Sequence, residues 1–376
     1  MGTHVLITGG AGFIGSHTAA ELIAHGYRIR ALDNLTPQVH DPRADGVRQR
    51  PQYLHPEVDL MVGDVCDPEA VGRALEGIDA VIHLAAIVGV GQSMYRIAEY
   101  TKVNNLGTAV LLQVLSSRPV EMLLVASSMS IYGEGLYRDA NGNIRVPQER
   151  SLEQLRLGDW EVRDSLGNCL FPVATPEDKP PALASVYALS KFDQEQMCLM
   201  VGGAYRIPTV ALRFFNTYGP NQALSNPYTG VLSNFASRVL NGSAPLIYED
   251  GMQRRDFVSV YDVARACRLA LETPAAAGQV FNISSGRPMT VAEAASRTIE
   301  AIGNRGLEPH ITGNYRAGDI RHCFADITRA RQVLGWEPKV TLEQGLTDLA
   351  SWLEGQTAID RGLEARAELA ARGLMV

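Results

Sequence analysis

Val5-Leu6-Ile7-Thr8-Gly9-Gly10-Ala11-Gly12-Phe13-Ile14-Gly15 decides how the rest of the chain is read. Val5–Thr8 is a short strand-like run, a glycine-rich turn follows it, and helical spacing holds from Ile14 to His25. The glycines stand at G-x-x-G-x-x-G. Gly9 permits a tight turn, Gly12 lets backbone approach a pyrophosphate, and Gly15 lets the helix lie close on a sheet. The helix start then offers free N–H groups and a positive dipole to phosphates. Eighteen residues beyond Gly15, Asp33 closes a second strand, Arg28–Leu32. A carboxylate there can accept from both hydroxyls of a ribose. It would repel a 2′-phosphate, and Asn34-Leu35 bring no cation, so the expectation is NAD rather than NADP.

Outward from this turn, further strands are expected at Leu60–Val62, Ala80–Leu84, Met122–Ala126 and Thr209–Phe214. Long helices are expected at Tyr100–Ser116 and Val186–Tyr205. Apolar strands joined by crossover helices predict an α/β chain with a Rossmann-like, doubly wound parallel sheet. Residues 1–205 form the expected dinucleotide-binding domain, with 134–180 read as an insertion on its surface. Residues 206–376, with short strands and frequent Gly and Pro, read as a smaller C-terminal lobe that binds substrate and returns some segments to the sheet. Ala358–Arg372 reads as a terminal helix, solvated or in a subunit contact, and no internal repeat is evident.

The 376 residues suit two lobes. Apolar residues make up 46% and charged residues 20%, which excludes a disordered chain. A net charge of −7 argues against nucleic acid as partner. No apolar run is long enough for a membrane span, and the first residues lack the pattern of a secretory signal. The five cysteines, Cys66, Cys169, Cys198, Cys267 and Cys323, are scattered and form no C-x-x-C. Free thiols in a reducing cytoplasm are therefore expected, with no metal.

Several stretches can carry chemistry. Gly63-Asp64-Val65 ends the third strand, where a carboxylate and a backbone group could read an adenine edge; Asp64 and Asp67-Pro68 could equally cap a helix. Leu84-Ala85-Ala86 leaves room for a ribose, and Asn104 faces that region. Tyr187-Ala188-Leu189-Ser190-Lys191 places a phenol and an ammonium on one helical face. The ammonium would lower the phenol's pKa and make it a usable base. Ser127-Ser128 ends the fifth strand, and Ser128 could bond the same substrate oxygen as Tyr187 or simply cap the strand end.

Together these stretches resemble the extended short-chain dehydrogenase/reductase family, in its nucleotide-sugar 4-epimerase branch. Ser127–Gly133 (SSMSIYG), Leu212–Pro220 (LRFFNTYGP) and Arg254–Ala264 (RRDFVSVYDVA) extend the resemblance from residue 3 to about 353. The resemblance implies a catalytic set of Ser128, Tyr187 and Lys191. It implies NAD contacts at Gly9, Gly12, Phe13, Ile14, Asp33, Asn34, Asp64, Val65, Leu84, Ala85, Ala86, Asn104, Tyr187, Lys191 and Phe215. It implies nucleotide-sugar contacts at Ser128, Tyr187, Asn216, Val231, Tyr248, Arg255, Arg316 and Asp319. The chemistry of these types agrees: guanidinium forks suit a diphosphate and Tyr248 could stack on a base, although either arginine could instead make a surface ion pair.

Within the family, a 4,6-dehydratase should carry an acid pair after the strand-five serine, and here Met129 and Ser130 stand there. A net reductase would favour NADPH, against Asp33. The resemblance therefore implies inversion of carbon 4 of a nucleotide-diphosphate hexose, through a transient 4-keto sugar with tightly bound NAD. The insertion, Leu224–Gly230 and the tail Ala367–Leu374 are similar to a bacterial subgroup that converts dTDP-L-rhamnose to dTDP-6-deoxy-L-talose. UDP-glucose/UDP-galactose 4-epimerisation is the alternative, then a 4,6-dehydratase, then a non-catalytic NAD-binding regulator. Some relatives carry paired cysteines in the insertion, where this chain keeps only Cys169. The resemblance also implies a homodimer built on Ile97–Leu115 and Val186–Gly202.

Overall fold

The computed structural model describes residues 2–40, 48–228, 230–304, 306–316, 318–356 and 358–375. The first stretch alternates β1 (His4–Thr8), α1 (Phe13–Ala24), β2 (Arg28–Asp33), β3 (Asp59–Val62), α2 (Pro68–Ala74) and β4 (Ala80–His83). The short helices α3 (Val90–Ser93) and α4 (Ile97–Tyr100) lead into α5 (Gly107–Ser117) and β5 (Met122–Ser128). The insertion holds β6 (Leu136–Arg138), β7 (Ile144–Arg145), α6 (Leu152–Arg156) and β8 (Phe171–Val173). Then come α7 (Val186–Tyr205), β9 (Thr209–Phe214), β10 (Asn216–Tyr218), α8 (Val231–Leu240), β11 (Leu246–Ile247), β12 (Arg254–Ser259) and α9 (Val260–Glu272). The chain closes with β13 (Val280–Ile283), β14 (Pro288–Thr290), α10 (Val291–Ile302), β15 (His310–Ile311), α11 (Thr328–Leu334), α12 (Leu342–Leu353) and α13 (Gly362–Ala371).

Seven strands make one parallel sheet in the order β13-β9-β5-β4-β1-β2-β3. Side chains alternate between its faces, so each face has its own core. Val5, Ile7, Ile82, Leu124, Val210, Leu212 and Phe281 meet α1, α9 and α11 on one side. Leu6, Val81, Leu123, Val125 and Ala211 meet α2, α5 and α7 on the other. Strand order reverses between β1 and β4, which opens a crevice at their carboxyl ends. A smaller core around Tyr218, Phe235, Ile247, Phe257 and Leu349 holds β10, β12, α8, α10 and α12 together. No helix among the described residues is long and apolar enough to cross a membrane.

Three sequence expectations need correction. Tyr100–Ser116 is not one regular helix: a π-helical turn over Thr101–Leu106 separates α4 from α5. That turn holds Asn104, fully buried, and its side-chain bonds offset the poorer backbone geometry. The terminal helix begins at Gly362 rather than Ala358, and its segment is fastened to both lobes: Arg238 pairs with Asp360, just before the helix, at 2.7 Å, and Tyr95 donates to Glu368 on it at 2.8 Å.

The insertion, finally, is more than a surface excursion. It has a three-stranded sheet, β7-β6-β8, over a small core of Tyr137, Val162 and Leu170. It also contains a local repeat that the sequence reading overlooks, Asp139–Asn143 and Asp164–Asn168. In each turn one carboxylate oxygen accepts two backbone N–H groups and the other accepts the Asn side chain at 3.1 Å.

Candidate active site

The turn after β1 and the loop after β4 meet at the crevice. Gly9 has φ +70°, and a Cβ there would lie 2.9 Å from the Ala85 nitrogen. A Cβ on Gly15 would lie 2.3 Å from the Gly9 carbonyl oxygen. Only glycine keeps this cradle open and the helix this close. No side chain caps the start of α1 at Gly12, so its first N–H groups remain available to an anion. Asp33 sits at the mouth, its carboxylate accepting from Ala11 N at 3.1 Å and Leu35 N at 2.9 Å. This arrangement fits a dinucleotide: glycines and helix start for the pyrophosphate, Asp33 beside Asn34 for the ribose. Sequence spacing missed Arg48, far along the chain, which donates to the Asn34 carbonyl at 2.5 Å. Asp64 turns its carboxylate onto Cys66 N at 2.8 Å, while Asp67 caps α2. Val65 lines the core beneath, with Gly107 against it. Asn104 works as a strut. Its oxygen accepts from Ile87 N at 2.8 Å, and its amide donates to Ile87 O and to Ser190 Oγ. It thus fixes the loop beyond Leu84-Ala85-Ala86 against α7.

The residues expected to act as acid and base lie across the crevice. Ser185 caps α7 by accepting from Ala188 N at 3.1 Å, and Ser93 accepts from Tyr187 N at 3.0 Å. Tyr187 is half-buried, its ring edge-on to Tyr100 at 6.4 Å. Burial raises its pKa, and a hydrogen bond with Ser128 acts to lower it. Ser128 also accepts from Ser130 N at 3.1 Å and Ser130 Oγ at 3.0 Å. Lys191 is 3% exposed, and burial pushes its pKa down to about 8. Beneath, Arg213 pairs with Glu195 through two bonds of 2.7 and 2.9 Å and donates to Tyr132 Oη at 2.8 Å. Phe215, buried, continues β9 towards Asn216, whose amide donates to the Asp256 carbonyl at 3.0 Å and approaches the Met129 sulfur at 3.5 Å.

The residues expected to hold a nucleotide line the second lobe. Val231 opens α8, whose start at Gly230 carries no side-chain cap. The Arg316 guanidinium lies 4.6 Å above the Tyr248 ring, and its buried Nε has no hydrogen-bond partner among the described residues. Arg316 lies 3.7 Å from the Asp319 carboxylate. Arg255 differs from the free fork expected. Its guanidinium donates to the carbonyls of Arg254, Arg321 and Ile320 and so braces the 319–321 segment.

The insertion docks beside this arm through buried charges. Arg150 pairs with Glu249 at 2.8 Å and donates to the Asp319 carbonyl at 2.9 Å. Arg321, 0% exposed, bonds Glu161 at 2.6 Å, Glu249 at 2.9 Å and Asp250 at 2.6 Å. Trp160 rests against Tyr315. Charged residues so far apart in sequence read as a solvated surface, which is why the sequence gives no warning of this contact.

Residues 5–154 and 167–284 match the model of the NAD dependent epimerase/dehydratase family. A dTDP-L-rhamnose 4-epimerase of Burkholderia thailandensis is 36% identical over 94% of this chain and 95% of its own length. A UDP-glucose 4-epimerase of Bacillus subtilis is 28% identical, covering 93% of this chain and 96% of that protein. Among solved structures, Thermotoga maritima UDP-glucose 4-epimerase with UDP-glucose superposes with a TM-score of 0.75 at 30% identity, over 94% and 99% of the two chains. The Thermus thermophilus UDP-glucose 4-epimerase with NAD gives 0.72 at 30% identity, over 94% and 100%.

Proposed function

Because this chain belongs to the NAD dependent epimerase/dehydratase family and is an NAD-dependent nucleotide-sugar epimerase, we propose that it inverts carbon 4 of dTDP-L-rhamnose to give dTDP-6-deoxy-L-talose. The observation that carries the choice of reaction is Ser128 at the end of β5 followed by Met129 and Ser130, with no acid pair, together with the Tyr187/Lys191 pair on α7. The choice of sugar rests on the similarity to the Burkholderia enzyme across nearly the whole chain. UDP-glucose is the second candidate, favoured by the likeness to UDP-glucose 4-epimerases in fold and sequence.

Bound NAD supplies a hydride acceptor and donor at carbon 4. Tyr187 takes the proton of the 4-hydroxyl as base and returns it as acid to the oxygen of the transient 4-keto sugar. Ser128 bonds the same oxygen. The Lys191 ammonium stabilises the phenolate and orients the nicotinamide ribose. Gly9, Gly12, Phe13 and Ile14 cradle the pyrophosphate. Asp33, Asn34, Asp64 and Val65 hold the adenosine half; Leu84, Ala85, Ala86 and Phe215 wall the nicotinamide half, with Asn104 bracing the loop. Val231 and Arg316 hold the nucleotide diphosphate, with Arg255 bracing the 319–321 segment beside it; Tyr248 and Asp319 hold its nucleoside, and Asn216 the sugar side. With the nucleotide anchored, the keto sugar can turn over without leaving.

Isotopes test the reaction. Deuterium placed at carbon 4 is expected to remain in the product, with no solvent deuterium at carbon 5. Deuterium from heavy water at carbon 5, or a product lighter by one water, would replace this reading with dehydration. Turnover of UDP-glucose but not dTDP-L-rhamnose would keep the reaction and change the sugar.

The reading includes a cytoplasmic homodimer. Exposed Ile97, Leu106, Leu189 and Met200 leave apolar side chains on α4, the π-turn and α7, which supports pairing of two copies there. The five cysteines are unpaired, which suits a reducing compartment. Light scattering is expected to give twice the chain mass; a monomer at micromolar concentration would remove the pairing.

A further inference from the structure

Behind Lys191 lies a buried polar chain that the proposed mechanism does not use. The Lys191 ammonium donates to Gln194 Oε1 at 2.6 Å. Gln194 Nε2 donates to Thr108 Oγ1 at 2.7 Å and to the Ala85 carbonyl at 3.4 Å. Thr108 in turn donates to the Asn104 carbonyl at 2.6 Å. His83 Nε2 lies 2.8 Å from Thr108 Oγ1 and 3.2 Å from Gln194 Nε2, so the imidazole closes the far side of the chain in either tautomer. His83 Nδ1 shares a hydrogen bond with Thr8 Oγ1 at 2.7 Å. Burial, with the Lys191 charge, holds His83 neutral and its pKa at about 3. The sense at the Lys191 end is fixed, because an ammonium can only donate and Gln194 Oε1 must face it. The amide of Gln194 cannot flip without turning its NH2 against the ammonium and its oxygen against the Ala85 carbonyl.

From this geometry we infer that Gln194 is a positioning residue for Lys191: it takes one ammonium N–H and aims the other two towards the ribose and the phenol. The inference rests on the reading of Tyr187 and Lys191 as the acid–base pair. The charged and titratable groups around the ammonium are Tyr187, Glu195 and Cys198 on its own helix and His83 from β4. None of them forms a hydrogen bond with the ammonium, so Gln194 is the contact that steadies it.

Gln194→Met keeps the length of the side chain and removes the acceptor. The ammonium then loses its proton more readily, Tyr187 feels less positive charge, and the phenol ionises at higher pH. The acid limb of the kcat profile is expected to move up by about one pH unit. Ultraviolet titration of tyrosinate in the purified protein, with Tyr187→Phe subtracted, should move the same way without any substrate. Gln194→Glu, which keeps an acceptor for Lys191, should not move the limb upward. If Gln194→Met does not fold, Thr108→Val loosens the far side of Gln194 and should give a smaller shift in the same direction. A folded Gln194→Met protein with both limb and titration unmoved overturns the inference. Normal turnover in Tyr187→Phe would instead overturn the acid–base reading on which it rests.

Discussion

Tyr187→Phe is expected to cut turnover by about 10²–10⁴-fold while nucleotide-sugar and NAD affinities stay close to those of the parent. The size follows from losing the proposed general base, equivalent to roughly 3–5 kcal/mol in the barrier. The selectivity follows from how the residue is held. Its backbone N–H is bonded to Ser93 Oγ at 3.0 Å, and Ser185 caps the helix independently. The ring stays edge-on to Tyr100 whether or not it carries a hydroxyl. The loss should therefore appear in kcat and leave KM and thermal stability nearly unmoved. The parent should also lose activity towards alkaline pH, because burial places the Lys191 pKa at about 8 and deprotonation removes the charge that supports the phenolate. A Phe variant within about tenfold of the parent would take Tyr187 out of its role.

What the sequence made legible was local. The glycine turn, Asp33 at the end of β2 and the i, i+4 pair Tyr187/Lys191 each express their chemistry within one turn or one strand, and the structure brings them to one crevice. The apolar run Val5–Thr8, read as a strand, is one: Val5 and Ile7 enter one core and Leu6 the other. What escaped was tertiary. Asn104 sits in a π-turn because its partners, Ile87 and Ser190, lie on a distant loop and helix, and no helical propensity encodes that bargain. Gln194 reads as an ordinary polar helix residue until β4 and α5 are placed beside it. Arg255 looks like a free diphosphate fork until the 319–321 carbonyls close around it.

The same tertiary logic gives the second large effect, in stability. Arg321→Met is expected to destabilise the folded chain by about 3 kcal/mol and to loosen the insertion from the second lobe. Arg321 is fully buried and is bonded to carboxylates from two segments, Glu161 of the insertion and Glu249-Asp250 before β12. Removing it leaves those acids facing one another, a loss of roughly 3–5 kcal/mol for a fully buried pair. The lower end applies because Glu161 and Asp250 are 42% and 37% exposed, so water relieves them, and Glu249 keeps Arg150 at 2.8 Å. The acid side of the stability curve should change with it. The His322 hydrogen bond, and then Arg321, hold the Glu161 pKa near 2 against an ordinary 4.5. A depressed carboxylate contributes stability above its unfolded value and loses it as pH falls, here between about 4.5 and 2. Glu249, pushed up by burial, acts in the opposite sense, but it remains paired with Arg150 in the variant. The variant should therefore lose less stability than the parent between pH 4.5 and 2, having less of this contribution to lose. Denaturant melts at neutral and acid pH measure both effects. Equal stability at neutral pH would mean that the cluster is neutral in balance and that the insertion is held by its apolar contacts, Trp160 on Tyr315 among them.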